Sequence, residues 1–147
     1  MKRSEAAYLK AARRGFLATS GRDRPTVVPV CFVLAGDVIY TAIDGKPKGP
    51  RLARTSNIAS NPQVAFLVDV YREDWRDLSY LLIHGRSEVV SDESEAARAR
   101  GLLLRKYRQY RSLRLGDAPI IAIHIADSKF WKFRAAGRGG EGGRRVT

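Results

Sequence analysis

Cysteine is almost missing. The sequence has one, Cys31, so no disulfide can form within the chain, and such usage suits a reducing compartment. It lies in the apolar run Val27-Val28-Pro29-Val30-Cys31-Phe32-Val33-Leu34, where a small core residue is expected rather than a nucleophile. Histidine is nearly as scarce: His84 and His124 are the only two. With one cysteine they offer no metal-ligand spacing, and no Ser/His/Asp order stands out. No apolar run approaches the roughly 18 residues that cross a bilayer. The first residues, Met1-Lys2-Arg3-Ser4-Glu5, lack the apolar stretch of a secretory leader. A cytoplasmic protein without a membrane partner is expected. There is no P-loop glycine-lysine pattern and no internal repeat.

What is abundant is positive charge. Lys and Arg number 27 against 15 Asp and Glu, a formal net charge of +12, which favours anionic partners without saying which. The basic residues gather in three places: the loop around Lys46 and Lys48, the segment 98–114, and the Gly/Arg-rich tail. The 147 residues, 44% apolar, suit one domain with one real core. We place that domain at 1–134 and read 135–147 as a disordered tail, because its composition cannot build a core.

Local pattern predicts helices over 4–14 (capped by Ser4 and ended by Gly15), 51–59 and 93–110. Strands are predicted over 16–20, 26–34, 38–42, 63–69 and 80–90, with a last one opening at 119 and continuing or bending away over 127–133. The run 26–34 is nearly all apolar, so both its faces should be covered. Ala35-Gly36-Asp37 reads as a tight turn. The fold class is mainly β with flanking helices: a six-stranded, closed or nearly closed barrel.

The most informative stretch is Tyr40-Thr41-Ala42-Ile43-Asp44-Gly45-Lys46-Pro47-Lys48. A strand ends, a glycine turn follows, two lysines flank a stiffening proline, and a basic helix begins. Phosphate is held by positive charge, hydroxyls and free N–H groups at a helix N-terminus. Lys46, Lys48, Thr41 and the turn at Arg51 offer all of these. On the local pattern alone, a solvated basic loop is the simpler reading.

The ordered set of segments carries more. Gly15-Phe16-Leu17-Ala18-Thr19, Pro25-Thr26-Val27-Val28-Pro29-Val30, Asp37-Val38-Ile39-Tyr40-Thr41-Ala42, Asp44-Gly45-Lys46-Pro47-Lys48, Arg51-Leu52-Ala53-Arg54, Val64-Ala65-Phe66-Leu67-Val68-Asp69 and His84-Gly85-Arg86-Ser87-Glu88-Val89-Val90 follow one another. Together they resemble the pyridoxamine phosphate oxidase-like family of FMN-binding split barrels. More narrowly they resemble its F420-dependent flavin/deazaflavin oxidoreductases of actinobacteria. The resemblance implies a homodimeric split β-barrel enzyme that transfers a hydride between F420 and a small electron-poor organic substrate, with FMN as the alternative cofactor. It implies that Lys46 and Lys48, helped by Thr41 and Arg54, hold the phosphate. The ring would lie along the backbone of Val28, Pro29 and Val30, and Trp75, Arg86 or Trp131 would reach across from the partner subunit. Gly49-Pro50 departs from the pattern, standing where relatives carry further basic residues. No catalytic acid is assigned and no metal is expected.

Asp69, Glu73, Asp74 and Asp77 alternate with Arg72 and Arg76, so local ion pairing is expected there rather than a metal site. The arginines of 98–114 would form a solvated helix face, a rim for the polyglutamate tail of F420, or a nucleic-acid surface. Nucleic acid is not the expected partner. A non-enzymatic carrier of a cofactor or haem remains a separate class of reading.

Overall fold

The structure is a computed structural model. It describes residues 1–22, 24–43, 50–113 and 115–135, with backbone alone at 50–52.

Helix α1 (Arg3–Ala11) is built largely from good helix formers and buries Leu9 completely. Ser4 is not its cap. The Glu5 carboxylate reaches back to accept the Lys2 backbone N–H at 3.2 Å. Gly15 does not end this helix but opens β1 (Gly15–Thr19). A Cβ at that position would stand 2.2 Å from the Phe66 ring, so close approach is the reason for glycine.

The sheet has seven strands, not six. The run 26–34 divides into β2 (Thr26–Val30) and β3 (Val33–Ala35). The break falls at Cys31 and Phe32, where side-chain hydroxyls take the place of ladder bonds. Tyr107 Oη accepts the Phe32 N–H at 3.1 Å, and its own proton can reach the carbonyl of Phe32 at 3.1 Å or of Arg13 at 3.0 Å. β2 is not covered on both faces, since Val27 is 65% exposed and Pro29 is exposed. It is an edge strand, where a proline removes no ladder bond. The expected turn into β4 (Val38–Ala42) is present, with Gly36 at φ +60°.

Helix α2 (Pro50–Ser60) packs under the β1–β2 turn. Its fully buried Asn57 donates to Thr19 Oγ1 and to the Arg24 carbonyl, each at 3.2 Å. β5 (Gln63–Val70) runs from α2 to a single 3-10 turn at Trp75–Asp77. β6 (Ser79–Val89) returns, with an irregularity at His84/Gly85. Helix α3 (Glu93–Lys106) stops before the expected end, and a short α4 (Tyr110–Leu113) follows. The last segment is one unbroken strand, β7 (Ile120–Lys132).

All pairings are antiparallel, in the order β2-β1-β5-β6-β7-β4-β3. β2 and β3 are joined by only two residues yet lie at opposite ends of this order. A flat sheet cannot satisfy both facts, so it curls into a half-barrel. Leu17, Phe32, Phe66, Leu81, Ile83 and Ile121 fill the inside. A second layer, with Ala96, Ala99, Leu103 and Tyr107 from α3, packs on the outer face of β4 and β7. No helix among the described residues is long and apolar enough to cross a membrane.

Candidate functional site

Lys46 and Lys48, the centre of the sequence-predicted phosphate site, lie outside the described residues, as does the Gly49 of the departure. The structure frames them instead. Thr41, just before them on β4, is 2% exposed, and its hydroxyl donates to the Cys31 carbonyl at 2.7 Å. Arg54, after them, is half-buried in α2. Val30 is buried and Val28 packs on the inner core, while Pro29 faces outward on the same strand. The other side of β2 carries no strand partner among the described residues. A free strand edge offers backbone donors and acceptors to a flat heterocycle, and a helix beginning beyond a basic loop offers the right end of its dipole to phosphate. Pro29 has no N–H, so here the edge offers a flavin-like ring an acceptor rather than donors, while the helix start suits its phosphate.

Within the chain, Trp75 lies apart from α2. It is 59% exposed and lies beyond the far end of β5 from α2, roughly 26 Å along the strand. Near it, a cleft of about 500 Å³ lies on the outer sheet face, lined by Leu67, Asp69, Tyr80, Leu82 and Trp131 among others. Tyr80 and Trp131 stack at 5.5 Å between centroids. Trp131 Nε1 is buried without a hydrogen-bond partner among the described residues.

The basic helix is only partly a solvated face. Arg100 is 9% exposed, donates to the Ala118 carbonyl at 2.9 Å and pairs with Glu93. Lys106 Nζ is buried, 3.9 Å from the Phe32 ring centroid. Burial, together with the nearby Arg13, pulls its pKa from the usual lysine range to about 8. Sequence reasoning missed both residues, though a signal was present. Both fall on the stripe of Ala96, Ala99, Leu103 and Tyr107 at helical spacing, where a charge must turn inward or be covered.

The acidic loop behaves as expected, with Arg76 bidentate on Asp74 at 3.0 and 2.7 Å. His84 and His124 each face one carboxylate, Asp127 at 3.5 Å and Glu88 at 2.8 Å. Among the described residues, no group of three or more His, Cys, Asp or Glu could hold a metal ion.

The sequence matches the pyridoxamine 5'-phosphate oxidase family over residues 3–128. The chain belongs to this family. Its half-barrel recurs in solved structures of low identity. The conserved hypothetical protein Rv2991 of Mycobacterium tuberculosis superposes with a TM-score of 0.72 at 18% identity, over 96% of this chain and 94% of that one. The FAD-binding protein mll6688 of Mesorhizobium loti gives 0.67 at 19%, over 88% and 94%. The FAD-binding protein of Mycobacterium smegmatis gives 0.63 at 16%, over 91% and 98%. No curated protein matches the sequence. At these identities the likeness shows the fold alone, a curled antiparallel half-barrel with flanking helices.

Proposed function

We propose that the protein is an F420-dependent oxidoreductase acting on a small electron-poor organic substrate. One observation carries the reading. A family match over residues 3–128 falls on a chain whose β2 edge has no strand partner among the described residues and whose basic segment 44–49 precedes a helix. When bound, the deazaflavin supplies or accepts the hydride. The chain's own task is to hold and orient it. Lys46 and Lys48, with Thr41 and Arg54, would neutralise the phosphate. The backbone of Val28, Pro29 and Val30 would fix the ring, and the apolar barrel wall behind would exclude water. The FAD-binding proteins of M. loti and M. smegmatis, which share the fold, favour a second reading, a flavin such as FMN in the same place.

The proposal includes a homodimer. Its support is the outer sheet face, where half-buried Leu67, Leu82 and the Tyr80–Trp131 stack line a large cleft and the indole N–H lacks an acceptor among the described residues. A second subunit would cover this face and bring Trp75 to the other chain's cofactor.

The test is a fluorescence titration with F420 and with FMN, on the parent and on Lys46→Ala and Lys48→Ala. F420 should bind, and each alanine variant should weaken it by about tenfold, the value of one charge-assisted contact. Binding of FMN alone selects the second reading. Failure of both cofactors to bind the parent sinks the function, and alanine variants that bind as tightly as the parent sink the assigned loop. Light scattering on Leu82→Arg, expected to be monomeric beside a dimeric parent, tests the subunit contact.

A further inference from the structure

A second cleft, of about 400 Å³, lies between the α1–β1 corner and α4, lined by Arg13, Cys31, Tyr107, Gln109, Tyr110 and Leu113. Among the described residues it includes none of those proposed to hold the cofactor, though its Cys31 follows Val30 and accepts from Thr41. Its walls are apolar and aromatic, and Leu113 is 73% exposed at its rim. No acidic residue lines it.

Arg13 lines this space, and Lys106 lies behind it, against the rings of Tyr107 and Phe32. The Arg13 guanidinium sits 4.7 Å from the Tyr107 ring centroid and spends one N–H on the Lys106 carbonyl at 3.0 Å. Lys106 Nζ lies 5.4 Å from the same centroid, buried, with no hydrogen-bond partner among the described residues. The groups acting on it are Arg13 from the α1–β1 corner, Cys31 from the β2–β3 junction, and the aromatic faces of Phe32 and Tyr107. None of these is a carboxylate. Neither cation is in an ion pair among the described residues. A buried ammonium held only by ring faces is incompletely compensated. An anion in the cleft would supply the missing acceptor, and its apolar part would cover Tyr110 and Leu113.

We propose that this cleft binds a small organic anion, a carboxylate on an apolar body about the size of octanoate. The volume suits a ligand of that class. The carboxylate takes Arg13 and Lys106, and the chain lies along the tyrosine wall.

Isothermal calorimetry with octanoate, and with 1-octanol as its uncharged counterpart, tests this. Octanoate should bind saturably and octanol at least about tenfold more weakly, the worth of a charge-assisted contact. Arg13→Gln and Lys106→Met should each weaken octanoate to a similar degree. Near pH 8 part of the Lys106 population is uncharged. Octanoate binding there should therefore take up protons, seen as a dependence of the heat on buffer ionisation. The uptake should vanish at pH 6 and in Lys106→Met. Absence of saturable binding, equal binding of octanol, or unchanged binding in either variant overturns the proposal. If a variant does not fold, proton uptake by the parent at pH 8 decides, and its absence counts against the site.

Discussion

The two apolar layers of this protein are built on different terms. Inside the half-barrel, Leu17, Phe32, Phe66, Val68, Leu81, Ile83, Ile121 and Ile123 pack with almost no polar atoms among them. On the outer face of β4 and β7, the layer under α3 is made of alanines and tyrosines, and charged groups enter it. Tyr40 donates to Glu95 at 2.7 Å, Arg100 is buried against a carbonyl, and Tyr107 bridges three backbone groups. The inner layer obtains stability from area alone. The outer layer trades area for direction, using hydroxyls and guanidinium groups to fix where the chain leaves the sheet. The difference teaches that mutations inside should be felt as lost volume, and outside as lost partners.

The largest effect should come from Phe66→Ala. Phe66 is fully buried and meets Phe32 edge-on at 5.0 Å between centroids, so its loss should cost about 3–5 kcal/mol in urea unfolding. Gly15→Ala tests the same volume from the other side. It should cost about 1–3 kcal/mol, because its Cβ would fall 2.2 Å from the Phe66 ring. Part of that cost should be recovered in the double variant with Phe66→Leu. A fully additive pair would break the packing argument.

In the outer layer, Tyr107→Phe keeps the ring and removes the hydroxyl. It strands the buried Phe32 N–H and should cost about 1–3 kcal/mol, with little change in the denaturant slope. The smallest effect belongs to Lys106→Met, and it depends on pH. The Lys106 pKa is lowered from 10.5 to about 8 on folding. Between these values the unfolded chain binds more protons, so the parent gains stability as pH rises from about 8 towards 10.5. The methionine variant lacks this gain. Its advantage over the parent should be greatest below pH 8 and shrink above it, as thermal unfolding across that range would show.

Much of this contrast was legible in the sequence. The alternation of 63–69 and the apolar stripe of α3 gave elements close to those observed. The order of segments from Gly15 to Val90 gave the family. What escaped was tertiary in origin. The split of 26–34 depends on a hydroxyl 75 residues away. No local pattern shows that Phe32 will leave the ladder to meet it. Nor does spacing alone show that Arg100 and Lys106 turn inward, because a carbonyl at Ala118 and the ring of Phe32 decide that. Of the expected site, β2, Thr41 and Arg54 are framed by the fold, whereas Trp75 is separated from α2 by the length of β5.

The strand order also fixes a sequence of events during synthesis. β4 pairs with β3 and β7, and β7 is the last strand to be made. Until Ile120–Lys132 leaves the ribosome, the β3–β4 hairpin has one exposed edge and β6 has another. Both edges wait for the same segment. A nascent chain halted before β7 therefore carries two open strand edges, on β4 and β6, the kind of surface that chaperones engage.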